Sequence, residues 1–209
     1  MSPVSPAAVD TCDFTFSITA DGTPLDDDLS VIRVDLWSAL ETATKASVVL
    51  ATDTPPGEPF SSKALATLER GKAIEIRAGY SVPADVIFSG TIVSHGVSLA
   101  AEASGIIVNA ESAGIPVSDP DARDAILRLE YGVSIISFKA ETKPGTSRLP
   151  ELRGEVSFQG SALPQPGSIV ELAGVGGSFD GDMFVSAVHH NIDNGNWTTH
   201  VRFREPPAT

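Results

Sequence analysis

The sequence predicts an all-β fold, and three observations carry the prediction. Apolar and polar residues alternate with period two over most of the length, turn dipeptides interrupt the alternation at short intervals, and helical spacing is scarce. At 209 residues the chain suffices for one large β domain or two of about 100 residues each. Its 18 glycines and 15 prolines, against only 20% charged residues, favour many short strands joined by turns over disorder.

Taken in order, the first strand is Thr11–Thr19. It sets Cys12, Phe14, Phe16 and Ile18 on one side and Asp13, Thr15, Ser17 and Thr19 on the other. After the turn signal Asp21-Gly22 come strands over Val31–Trp37 and Lys45–Ala51, with a further turn signal at Pro56-Gly57. Ser38–Thr44 reads as a short helix. So does Ser62–Arg70, capped by Ser62 and stopped by Gly71. Strand composition then recurs over Ala73–Ala78, Asp85–Ser94, Gly105–Ala110, Ile126–Tyr131, Ser134–Ala140, Gly154–Gln159, Ser168–Ala173 and Met183–His190. Asn196–Arg204, entered through Asn194-Gly195, again alternates, with Trp197, Thr199, Val201 and Phe203 facing one way. Many short strands at even spacing fit a barrel or a sandwich.

An internal echo organises these strands. Gly71–Gly79 (GKAIEIRAG) returns one residue shorter as Gly167–Gly174 (GSIVELAG), and Phe88–His95 is echoed by Met183–His190. A period of roughly 95 residues suits two copies of one β module rather than a solenoid. The copies then divide near residue 103, into 1–103 and 104–209. Two similar modules per chain about a threefold axis would present six around one channel.

Charge and chemistry narrow the functions. A net charge of −13 without a basic cluster argues against nucleic acid, whose binding draws on Lys and Arg. The acidic run Asp26–Asp28 reads as a solvated turn. Cys12 is the only cysteine, so neither an intrachain disulfide nor a thiolate metal cluster is available. The N-terminal residues lack the pattern of a secretory signal, and no apolar run nears the roughly 20 residues of a membrane helix. The expectation is a chain made and folded in the cytoplasm, with no membrane segment.

No catalytic motif appears. Gly174–Gly177 is glycine-rich, but Phe179 stands where a dinucleotide fingerprint needs glycine, so a hairpin turn is expected. His189 and His190 are neighbours on a strand and point to opposite faces, so they cannot jointly hold one metal; His95 or Asp193 could join one of them, and strand-end histidines bonded to neighbouring backbone are the simpler expectation. Asp119, Asp121 and Asp124 lack the glycine of a calcium loop and read as an exposed turn. Asn196-Trp197-Thr198 matches a glycosylation sequon by accident of a strand. Glu75, Lys139, Glu141 and Glu171 lie on or beside strands with alternating faces, and acid–base work would require a shared cleft that only the fold can supply. No catalytic, cofactor or metal residue is assigned, and the chain reads as not an enzyme.

Leu152–Gly176 (LRGEVSFQGSALPQPGSIVELAGVG) and Phe179–Thr199 resemble the closing part of the hub in VgrG-type spike proteins and related contractile-tail hubs. Ala73–Tyr80 with Ile87–Ile92 resembles the first barrel of that family, and Ile126–Glu141 the start of the second. The resemblance implies two tube-protein-like β-barrel modules in tandem with little helix. It also implies a homotrimeric, pseudo-sixfold baseplate hub that joins the hexameric inner tube to a membrane-piercing spike and touches other baseplate proteins. Such a hub is assembled in the cytoplasm as part of a phage tail, type VI secretion or extracellular contractile particle, and leaves the cell with it. Set against that family, the sequence runs on near 103 and 142 without its intervening and inserted regions and stops at Thr209 without its spike-bearing part, as expected either of a minimal hub or of part of a longer chain.

Two other readings remain open. A monomeric β-sandwich binding a ligand such as a glycan would use Trp37 or Trp197, though both read more simply as core or interface residues. A hydrolase would use His189 or His190 with a nearby carboxylate and lacks an identifiable nucleophile.

Overall fold

The computed structural model describes residues 3–8, 14–52, 62–80, 84–99, 104–114, 125–144 and 150–206. After a 3-10 turn at Pro6–Ala8 the elements are β1 Thr15–Ala20, β2 Thr23–Pro24, β3 Leu29–Ala39, β4 Lys45–Thr52 and α1 Ser62–Thr67. They continue with β5 Ala73–Gly79, β6 Asp85–Leu99, β7 Ser104–Glu111, β8 Ala125–Glu130, β9 Ile135–Pro144, β10 Pro150–Gln159, β11 Ile169–Ala173, β12 Gly181–Asp193 and β13 Asn196–Arg204. The fold is all-β. Asp21-Gly22 and Asn194-Gly195 both take positive φ, as two-residue hairpin turns require, and they join β1 to β2 and β12 to β13. Ser38–Thr44 is not helical. Ser38 and Ala39 extend β3, because their backbone pairs with Val188 and Ala187 across the sheet. Among the described residues no helix is long and apolar enough to cross a membrane.

The thirteen strands among the described residues form one sheet, and it divides into two units with the same plan. The first runs β1-β5-β6-β7-β4-β3 and the second β8-β11-β12-β13-β10-β9. In each, the spatial order relative to chain order is first, fourth, fifth, sixth, third, second. The units differ in that β1 meets β5 antiparallel while β8 meets β11 parallel, and in that β2 and α1 have no counterpart among the described residues of the second. The likeness reaches single residues. Gly71 and Gly167 have φ of 94° and 98°, conformations that glycine tolerates and other residues rarely adopt. Gly71 N–H donates to Ile92 O at 2.8 Å and Ile92 N–H to Lys72 O at 2.9 Å. Gly167 and Val185 repeat this at 2.8 Å, and Val185 and Ser168 at 2.9 Å. A bulge follows both Ile92 and Val185.

Two expectations change as a result. Ile92 matches Val185, so Met183 matches Gly90 and not Phe88. The loop between the echoed strands is three residues shorter in the second unit, and a two-residue slip is invisible to a pattern of period two. The division near 103 also moves. β7 begins at Ser104 and pairs with β4 and β6, and its Ile106, Val108 and Ala110 lie in the first core. The first unit therefore ends after Glu111. Ala101–Ala103, where the earlier division fell, lies outside the described residues.

Each unit curls around its own core: Val34, Leu36, Leu50, Ile74, Ile76 and Ile106 in the first, Leu127, Leu129, Phe158, Val170 and Val201 in the second. Among the described residues no ladder joins the two end strands of either unit, so these are curled sheets rather than ladder-closed barrels. β3 of the first unit pairs with β12 of the second, over Arg33–Ala39 against Ala187–Asp193. β11 occupies the same edge of β12 up to Phe184. Ile192 and Trp197 cross this joint and complete the first core.

Candidate functional site

The joint presents a polar sheet face, and strand alternation decides what stands on it. Val34 and Leu36 turn inward on β3, leaving Asp35 and Trp37 outward. On β12, Val188, His190 and Ile192 are buried, while His189 and Asn191 face out; on β13, His200 and Arg202 do the same. Register then aligns Glu111, Lys45, Trp37, His189, His200, Ser157 and Ser137 in one row across seven strands.

Contacts run along that row. Lys45 and Glu111 approach to 3.7 Å. Trp37 lies flat on His189, with ring centroids 3.5 Å apart and planes within 5°, and His189 stacks on His200 at 5.4 Å. The Ser137 and Ser157 hydroxyls share a hydrogen bond of 2.5 Å. Beside the row, Asp35 accepts from Asn191 Nδ2 at 3.0 Å, holds His189 Nε2 at 3.0 Å and meets Arg33 Nε at 3.1 Å. One carboxylate thus ties β3 to β12. Burial lowers the His189 pKa, and the Asp35 hydrogen bond opposes that shift without cancelling it. Above the row is an open recess of about 850 Å³ lined by Trp37, Lys139, Glu155, His189, His200 and Arg202.

The residues considered from sequence are dispersed. His190 points into the interior, where its Nδ1 is 3.0 Å from Thr199 Oγ1 and burial drives its pKa down to about 3. His95 lies far along β6, opposite Val108, and Asp193 ends β12. Among the described residues no three His, Cys, Asp or Glu side chains are grouped to hold a metal ion. Glu75 pairs with Arg77 and Glu171 with Arg128, each at 2.7 Å. Lys139 reaches the recess, and Glu141 lies further along β9. The Gly174–Gly177 segment is the turn between β11 and β12, with Phe179 N–H donating to Gly176 O at 2.7 Å. Asp26 begins a turn closed by Leu29 N–H. Asn196-Trp197-Thr198 lies in β13. Trp197 is buried against Phe14, Tyr80 and His190, whereas Trp37 is 51% exposed. Cys12, Asp119, Asp121 and Asp124 lie outside the described residues.

Sequence reasoning missed Asp35. Alternation through Val34–Trp37 signals its outward face, but its partners come from a strand about 155 positions away that no local pattern ties to it. Asp35 and His189 form a carboxylate–imidazole pair. Among the described residues no hydroxyl bonds to that imidazole, whose ring faces are taken by Trp37 and His200.

A family model described as the Alg8 N-terminal domain matches residues 10–102 and 140–194, well over half of the chain. The chain belongs to the Alg8 N-terminal domain family. No curated protein matches it. Solved structures similar to this Alg8 N-terminal domain chain include a tail protein from Neisseria meningitidis MC58, at 9% identity and a TM-score of 0.66, covering 92% of this chain and 96% of that one. A 43 kDa tail protein of prophage MuSo2 from Shewanella oneidensis matches at 8% identity and 0.67, over 92% and 98%. The E. coli c3393 protein, a type VI secretion component described as structurally similar to the T4 tail proteins gp27 and gp5, matches at 8% and 0.60, over 92% and 77%. At such identities the shared property is the fold.

Proposed function

We propose that this chain is a structural hub subunit of a phage tail or contractile injection machine, of the VgrG type. Three copies form a ring in which their two units alternate, giving six similar units around a channel. One side of the ring seats the hexameric inner tube, and the other carries the spike and contacts baseplate proteins. The observation that carries this reading is the doubling itself: two units of identical strand order, in a fold shared with tail proteins. The polar face with Asp35, His189 and Arg202 lines the channel, and the apolar cores lie behind it. The chain performs no chemistry; Asp35 and His189 fix the joint. The ring assembles in the cytoplasm and leaves the cell within the particle.

Native mass spectrometry of the purified chain across concentration tests the proposal. A species of three chains is the expected result. A chain that stays monomeric throughout overturns it and turns attention to Trp37, a large aromatic exposed in the recess. A monomer that bound glycans, and lost binding in Trp37→Ala with folding intact, would establish the ligand-binding alternative.

A further inference from the structure

The recess at the joint has its cause in the sequence. Register sets a second row beside the one that holds Trp37 and His189, two residues further along each strand. From β3 to β9 it reads Ala39, Ala187, Arg202, Glu155 and Lys139. The two alanines form a low floor between taller neighbours. β4 starts at Lys45, opposite Trp37, so beyond Trp37 the turn between β3 and β4 walls the recess with Thr42 and Ala43. That turn is pinned to the floor strands: Thr42 Oγ1 donates to Ala39 O at 3.2 Å, and Leu40 N–H donates to Ser186 O at 3.3 Å. This end is apolar, and Trp37 beside it is half-exposed.

The other end carries charge that the fold leaves unpaired. Among the described residues Arg202, Glu155 and Lys139 make no salt bridge, whereas Arg33, Lys45, Arg77 and Arg128 each do. All three are exposed. Two cations and one carboxylate leave this end with one surplus positive charge, in a chain whose net charge is −13.

We infer that the recess binds the carboxy-terminal residue of a partner polypeptide, its apolar side chain on Ala39, Ala187 and Trp37 and its free carboxylate on Arg202 and Lys139. Arg202 stands directly opposite Ala187, one strand spacing of about 4.8 Å away, so the side chain and the carboxylate of a single residue reach both. The guanidinium fork suits a carboxylate, which it holds through two parallel hydrogen bonds. Glu155, between the cations, accepts the N–H of the same residue. One surplus charge matches one carboxylate, while the strongly negative chain repels a polyanion. The recess is open on one side, which lets the rest of a polypeptide leave it, and capture of a chain terminus is a recurring mode of recognition. The site is complete within one chain, so binding and ring assembly succeed or fail separately.

Isothermal titration calorimetry of the full chain tests the site, with acetyl-Gly-Gly-Phe and acetyl-Gly-Gly-Leu as probes. Both should bind with a free carboxylate, and their C-terminal amides should bind at least tenfold more weakly. Arg202→Gln removes the fork and Ala187→Leu fills the floor. Each, with its melting temperature unchanged, should weaken binding at least tenfold, whereas Arg70→Gln, away from the recess, should leave it as it was. Acid and amide binding alike, or Arg202→Gln binding as the wild type does, overturns the site. So does the absence of binding by both probes at millimolar concentration. Binding of 3-phenylpropionate as tight as that of acetyl-Gly-Gly-Phe overturns the polypeptide and makes the ligand a small organic acid.

Discussion

His190 is fully enclosed beside Thr199 and Trp197, with His189 and His200 near it, so protonation there places a charge without water among other imidazoles. An imidazole in the unfolded chain titrates near 6.5, whereas His190 does so near 3 in the fold. Between those values the unfolded chain binds more protons. Stability therefore rises with pH across that window and falls on acidification, by up to about 1.4 kcal/mol per pH unit. His189, held between Asp35, His200 and Arg202, shifts in the same direction. Melting temperatures from pH 7 to 4 should fall more steeply in the wild type than in His190→Gln; equal slopes would remove His190 from the acid response. That the two histidines part to opposite faces was legible, because strand alternation is local. That Asp35 and Trp37 meet His189 was not, because register between distant strands has no local signal.

At the level of elements, the equivalent hairpin starts make equivalent demands. Gly71→Ala and Gly167→Ala each force a Cβ into a left-handed backbone and should each cost about 1–2 kcal/mol. Chemical denaturation that found one harmless and the other severe would break the equivalence of the two hairpins. Gly160 sits under Trp197, where an added Cβ would lie within 2.1 Å of ring carbons. Gly160→Ala should thus destabilise by about 1–3 kcal/mol through overpacking, while Gly177→Ala, with open space around it, should stay within about 0.5 kcal/mol. Twelve strand segments could be read from period-two runs and turn dipeptides. The helix expected over Ser38–Thr44 does not form, since that segment has helical composition but its first residues are claimed by pairing with β12. Tertiary context overrode propensity there.

On the scale of the whole molecule, the doubling was visible in the echo, and its true offset was not. A three-residue change in loop length is absorbed between strands and leaves their alternation intact. The joint within the chain carries the Trp37–His189 stack and the Asp35 carboxylate. In the proposed ring of three chains, six units of like backbone would carry two kinds of side-chain surface in alternation, so a sixfold pattern of strands would keep a threefold pattern of side chains.

Carrying both units on one polypeptide, with β3 and β12 paired between them, would change how the proposed ring comes together. A hexamer of separate units must gather six bodies from solution, and each loses its translational and rotational freedom on docking. In a ring of three such chains half of those encounters would be intramolecular from synthesis onward, where tethering sets the local concentration and bulk dilution does not. Only three bodies would need to collide, and ring closure would become far less sensitive to how much protein the cell has made.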